Sequence, residues 1–132
     1  MNGINIQYPW SRMLIDEEKC VETRTYPLPE KYEGEELAVI ETPGKGGKFK
    51  ARIIGTITFS HSFKYPNEST WKYDYNRHLV PEDSSFGWKE DKDKYGWAVS
   101  KVVKFDDYCA APQKRGIIFS SNCELPIASG AA

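Results

Sequence analysis

At 132 residues the chain falls within the range of one domain, large enough to bury a core without staples. A formal net charge of −1 gives no global field for a polyanion, which excludes a general nucleic-acid coat and confines any such contact to a local patch. Cys20, Cys109 and Cys123 are odd in number without a C-x-x-C pair, and no apolar leader or long apolar run appears, so a cytoplasmic setting with no membrane contact is expected.

The stretch Gln7–Arg24 holds a helix start, a turn and a charged strand. Pro9 suits the first helical position, and Trp10, Met13 and Leu14 give the segment 10–18 one apolar face. From Cys20 the spacing changes to alternation, with Cys20, Glu22 and Arg24 on one strand face and Val21, Thr23 and Thr25 on the other. Lys19 sits at the junction, where alternation does not fix its direction, so the turn must rotate it if it is to join Glu22 and Arg24.

A proline-rich connection over 27–36 leads to a short buried strand over 36–41. The glycine-rich turn 42–48 has Lys48, Lys50 and Arg52 beside it, but it lacks phosphate-loop spacing and joins two strands, so it reads as a hairpin tip. Alternation over 51–63 predicts one long strand, with Ile53, Ile57, Phe59 and His61 on its apolar face. His61 then reads as a hydrogen-bonded histidine closing the core. Residues 65–95 are irregular, and Trp71, Tyr73, Tyr75 and His78 form either a short aromatic helix on the barrel or a stacking lid. The neutral run Lys89–Lys94 reads as a solvated turn. A strand from Tyr95 follows, with Trp97, Val99, Val103 and Phe105 on one face and Lys101 at a rim, and a last short strand runs from Gly116 to Ser121. The core is expected to gather Ile53, Ile57, Phe59, Val99 and Val103. His61 and His78 are the only histidines and stand in no ligand spacing with the cysteines, which argues against a metal site, and no cofactor is implied.

These residues resemble the ASCH family, a branch of the PUA-like fold, whose mark is a Gly-x-Lys-x-x-Glu-x-Arg motif after a Gln-Pro-Trp-like helix start. Here the motif reads Glu17-Glu18-Lys19-Cys20-Val21-Glu22-Thr23-Arg24, with Glu17 in the glycine position, and the helix start reads Gln7-Tyr8-Pro9-Trp10 with Tyr8 as an extra residue. The likeness spans most of residues 4–121. Several short strands with one N-terminal helix and a short aromatic-rich helical insertion already read as a mainly β (α+β) fold, and the resemblance adds the topology, a PUA-like β-barrel with a cleft beside the Lys19–Arg24 strand. One domain over 1–127 and a disordered tail over 128–132 are expected.

The resemblance implies an RNA or modified-nucleotide binding module, its partner single-stranded RNA, a nucleoside or a nucleotide. Lys19 and Arg24 would hold phosphate or a base edge, Glu22 would accept from an exocyclic amine or orient Arg24, and Trp10 or Trp97 would stack. One alternative is a hydrolase acting on RNA or on a modified nucleoside, with Lys19 and Glu22 catalytic. A related group with threonine at the Glu22 position is thought to hydrolyse N4-acylated cytidines, but here Thr23 and Thr25 are expected on the opposite strand face. Another is a protein-interaction module using the acidic 30–36 loop. For binding, a log–log salt slope near −2 is expected from about two or three phosphate contacts, with Lys92 indifferent.

Overall fold

The computed structural model describes residues 1–45 and 47–125; the expected tail 128–132 lies outside them. In chain order the elements are β1 (Gly3–Gln7), α1 (Trp10–Ile15), β2 (Val21–Arg24), a 3-10 turn (Glu30–Tyr32), β3 (Glu36–Thr42), β4 (Arg52–Lys64), α2 (Glu68–Tyr73), α3 (Tyr75–His78), β5 (Tyr95–Ala110) and β6 (Phe119–Ser120). The strands form one curled mixed sheet in the order β2-β5-β4-β3-β1-β6, with β1 and β3 parallel. It is a half-barrel, and the gap between β2 and the opposite edge, where the short β6 flanks β1, replaces the full closure that would have removed its edges. Among the described residues no helix is long and apolar enough to cross a membrane.

Strand β3 alternates between two buried faces. Leu37 and Val39 join the main core inside the curl with Ile4, Ile6, Ile57, Phe59 and Trp97, while Ala38 and Ile40 pack on the outer side with Ile53 and Cys123. The single core expected from alternation is therefore split, because register shifts in the β4–β5 pairing change the phase of both strands. Against β3, Val39 faces Gly55 and Ile40 faces Ile53, so Ile54 is an extra residue on β4 that joins the main core and leaves Ile53 outside it. At Gly55 the chains come so close that an added Cβ would lie 2.2 Å from the Val103 carbonyl oxygen, which only glycine avoids. On β5, Thr58 faces Lys101 and Phe59 faces Val99, so Ser100 is an extra residue and Val102, not Val103, follows Val99 inward. On β4, Ser60 is likewise extra, which turns His61 outward. His61 is exposed and its Nδ1 lies 2.9 Å from Ser60 Oγ, correcting its expected place in the core.

The aromatic segment folds as the two short helices α2 and α3. Asn67 caps α2, its Oδ1 accepting from the Thr70 N–H at 2.8 Å. Trp71 is buried and stacks on His78 at 4.8 Å, with Tyr65 and Val80 in the same small cluster. Packing of this kind makes the segment a wall of the fold.

Candidate functional site

The site begins at the turn that ends α1. Helix α1 starts after Pro9, which lies just outside the helix, its carbonyl accepting from the Arg12 and Met13 N–H groups. The helix stops at Ile15, three residues short of its expected end, because Glu17 adopts a left-handed backbone with φ of 61°. The Glu17 N–H donates to Leu14 O at 3.1 Å and the Glu18 N–H to Met13 O at 3.0 Å, the paired closure that commonly places glycine at this position. Glu17 thus takes the backbone shape of the glycine it replaces. Glu17→Gly is expected to raise stability by about 1 kcal/mol, since a left-handed backbone strains any side chain but not glycine. A thermal or urea melt reads this, and a lower midpoint would mean the Glu17 side chain holds the turn in a way its exposure does not indicate.

Beyond the turn, the side chain of Lys19 is fully buried. Its Nζ donates to the His78 carbonyl, lies 5.2 Å from the centre of the Trp10 ring and 3.7 Å from Glu22 Oε1. Burial lowers the Lys19 pKa, and Glu22 opposes that shift. The other Glu22 oxygen accepts from Arg24 Nη2 at 3.1 Å and Nε at 3.3 Å. Arg24 also donates to the Asn5 carbonyl at 3.1 Å and the Tyr26 hydroxyl at 3.0 Å, so its guanidinium bridges the gap between β2 and β1. His78 is buried and its Nδ1 accepts from the Val80 N–H at 2.9 Å, which assigns the proton to Nε2, 2.7 Å from the Trp71 carbonyl. Burial holds the His78 pKa below its ordinary value, so the ring is neutral beneath Lys19.

Lys19, Glu22, Arg24 and Trp10 meet at the floor of a cleft of about 720 Å³. Glu22 is 7% and Arg24 18% exposed, so the motif charges lie mostly below the surface. Six cations line the opening, Lys19, Arg24, Lys89, Lys92, Lys94 and Arg115, against the two carboxylates Glu22 and Asp93. Counted formally the lining carries four net positive charges on a chain whose formal net charge is −1, and burial lowers the pKa of two of its cations, Lys19 and Lys94. Lys89, Lys92 and Arg115 are exposed at its rim. Lys94 is buried and its Nζ donates to the carbonyls of Phe86 and Gly87, fixing the loop that sets Phe86 edge-on to Trp10 at 6.1 Å.

Several expectations change here. Trp97 is fully buried in the core, edge-on to Phe59 and stacked on Phe119, with its Nε1 donating to the Tyr26 carbonyl at 3.1 Å. It does not line the cleft and supports Arg24, 5.5 Å from its ring centre. Alternation alone could not separate a core tryptophan from a stacking one. Lys92 borders the cleft, so it cannot serve as an indifferent control, and the charge run 89–94 is partly wall. Thr23 and Thr25 also border the opening, because β2 is the free edge of the sheet. Sequence reasoning missed Asn5, Tyr26, Phe86 and the cations after residue 88; the basic turn Lys114-Arg115-Gly116 was the one local signal for part of that set.

No protein-family model matches the chain, and no curated protein matches it. Solved structures do. The ASCH protein of Zymomonas mobilis superposes with a TM-score of 0.55 at 13% identity, covering 80% of this chain and 73% of that one. Two point mutants of the same protein give the same TM-score and identity, each covering 76% of this chain and 67% or 68% of theirs. With the curled six-stranded sheet and short helices already described, these matches give the chain an ASCH-type fold.

Proposed function

We propose that the cleft binds single-stranded RNA or a nucleotide, with phosphates on its rim cations and a base against Trp10 or Phe86. The observation that carries this reading is the formal net charge of four gathered around an aromatic-walled opening on a chain that is slightly acidic, three of its cations being the exposed Lys89, Lys92 and Arg115. Lys89, Lys92 and Arg115 would make the phosphate contacts, since exposed side chains reach a strand without being stripped of their partners. Lys19 and Arg24 would act from below through their charge, and Glu22 would orient Arg24 and accept from an exocyclic amine. Glu22 with two cations beside it is a poor device for stability alone, because burying charges costs about as much as their attraction returns. The ASCH-type fold of the neighbouring structures supports the same class of ligand.

The test is a titration of labelled single-stranded RNA across salt. About three or four phosphate contacts are expected, giving a log–log slope of about −2 to −3, at about −0.7 per contact. Lys92→Ala and Arg115→Ala should each reduce the slope by about 0.7, while Lys101→Ala, exposed on β5 and outside the cleft, should leave it unchanged. Duplex DNA should bind more weakly, since a base must be unpaired to reach an aromatic wall. Equal losses at Lys92 and Lys101 would reduce the effect to nonspecific charge and sink the reading.

A second reading, hydrolysis of RNA or of a modified nucleoside, draws on one observation: Lys19 is buried beside Glu22 with a lowered pKa, as a general base or nucleophile requires. It demands turnover that Lys19→Met abolishes. Saturable binding without product leaves the first reading in place.

A further inference from the structure

A second aromatic and cationic surface lies beyond the end of the cleft. Its centre is Glu41, fully buried, whose carboxylate accepts from Ser11 Oγ at 2.7 Å, Arg52 Nε at 3.0 Å and Arg12 Nη2 at 3.4 Å. Held by that carboxylate, the Arg52 guanidinium packs 4.1 Å from the centre of the Phe49 ring and 3.9 Å from that of Tyr108. Arg12 lies 5.7 Å from the same Tyr108 ring, and Tyr8 meets Phe49 edge-on at 5.9 Å. The result is a continuous row, Tyr8, Phe49, Arg52 and Tyr108, braced from beneath. Its two ends are open to solvent, Tyr8 being 46% and Tyr108 55% exposed.

The row starts where the cleft stops. Gln7 and Thr42 line the cleft, and the Tyr8 N–H donates to the Thr42 carbonyl at 2.8 Å, so the first ring of the row is one residue from the cleft wall. Two arginines share one buried carboxylate, and Lys48 and Lys50 are exposed on either side of Phe49. The surplus is positive, although Asp106 and Asp107 beside Tyr108 limit it. Recognition there would rest on ring faces first and counter-charge second. Exposed rings backed by arginine are what successive unpaired bases stack on, whatever their sequence.

We propose that this row is a second stacking surface for single-stranded RNA, carrying onward the strand whose first part lies in the cleft, so that the protein takes an oligonucleotide in preference to a free nucleotide. The inference rests on the cleft reading above, and it adds the length of the ligand and the path it follows. A strand longer than the cleft would leave past Gln7 and Thr42 and lay its next bases on Tyr8 and Tyr108. A dinucleotide would be held by the cleft alone.

The experiment compares two probes, a fluorescein-labelled mixed-sequence RNA of about ten nucleotides, within the site sizes of single-strand binders, and an unlabelled dinucleotide used as a competitor. Tyr108→Ala, at an exposed position, should weaken the longer RNA by at least about fivefold, the lower end of one lost stacking contact. The double variant Lys48→Ala with Lys50→Ala should flatten its salt slope by about 1.4, at about 0.7 per phosphate contact. Dinucleotide affinity should be unchanged in both. Unchanged affinity for the longer RNA in both row variants, with a clear loss in Arg115→Ala, would overturn the row and leave the cleft reading standing. No loss in Arg115→Ala either would remove the cleft reading and the row with it. A parallel loss of dinucleotide binding in the row variants would place their effect in the fold and overturn the proposal as well.

Discussion

Glu22→Ala is expected to destabilise the protein by about 3–5 kcal/mol, the usual cost of removing one partner from a buried ionic cluster. The reason is the asymmetry of what remains. Glu22 sits between Lys19, whose side chain is fully buried, and Arg24, and its loss leaves two cations facing each other without the charge that separates them. Lys19 can escape by giving up its proton, a route that its lowered pKa already favours, whereas Arg24 has no such route. Arg24 also anchors β2 to the Asn5 carbonyl, so its displacement would loosen the half-barrel at its open edge. In a Lys19→Met background the Glu22→Ala loss should shrink, which a double-mutant cycle by urea denaturation would measure. A loss under about 1 kcal/mol in the single variant would mean the floor is hydrated and its charges are independent.

Phe59→Ala should cost about 3–5 kcal/mol through lost apolar contact and the cavity left behind. Phe59 is fully buried in the middle of β4, edge-on to Trp97 at 5.5 Å, and Trp97 in turn stacks on Phe119, which stacks on Tyr32 at 4.0 Å. Truncation would therefore leave an aromatic chain without its first member, and the rings around it are too rigid to fill the gap. A midpoint shift equivalent to less than about 1 kcal/mol would place Phe59 outside the main core and reverse the assigned faces of β4.

Most of the opening motif was legible from local rules. The change from helical spacing to alternation after Lys19 located the turn and the strand. Glu17 in the glycine position of the resemblance motif spoke against the same turn, yet it adopts the left-handed backbone that a glycine would take there. What the sequence could not convey was phase. Ser60 and Ser100 each add one residue to a strand, and a single insertion moves every later side chain to the other face, so His61 and Val103, inward by simple alternation, point outward. No local pattern announces such an insertion, because serine is tolerated on either face. The cleft's rim was hidden for a different reason. Lys89, Lys92 and Lys94 belong to a run that is neutral in sequence, and only the burial of Lys94 under the Phe86 loop brings that run against the floor formed by β2. Trp97 shows the converse, since the resemblance implies that it stacks in the cleft, whereas the ring supports Arg24 from within the core.

The claim that the positive cleft is where a nucleic acid strand binds is tested most directly by mapping backbone amide NMR shifts while single-stranded RNA is added at low salt. The account predicts that the largest shifts fall on Lys19–Tyr26, on residues 85–94 and on Arg115–Ile117, with the outer residues of β5 around Lys101 unmoved. Shifts concentrated on the acidic 30–36 loop, or spread evenly over every exposed lysine, would contradict it.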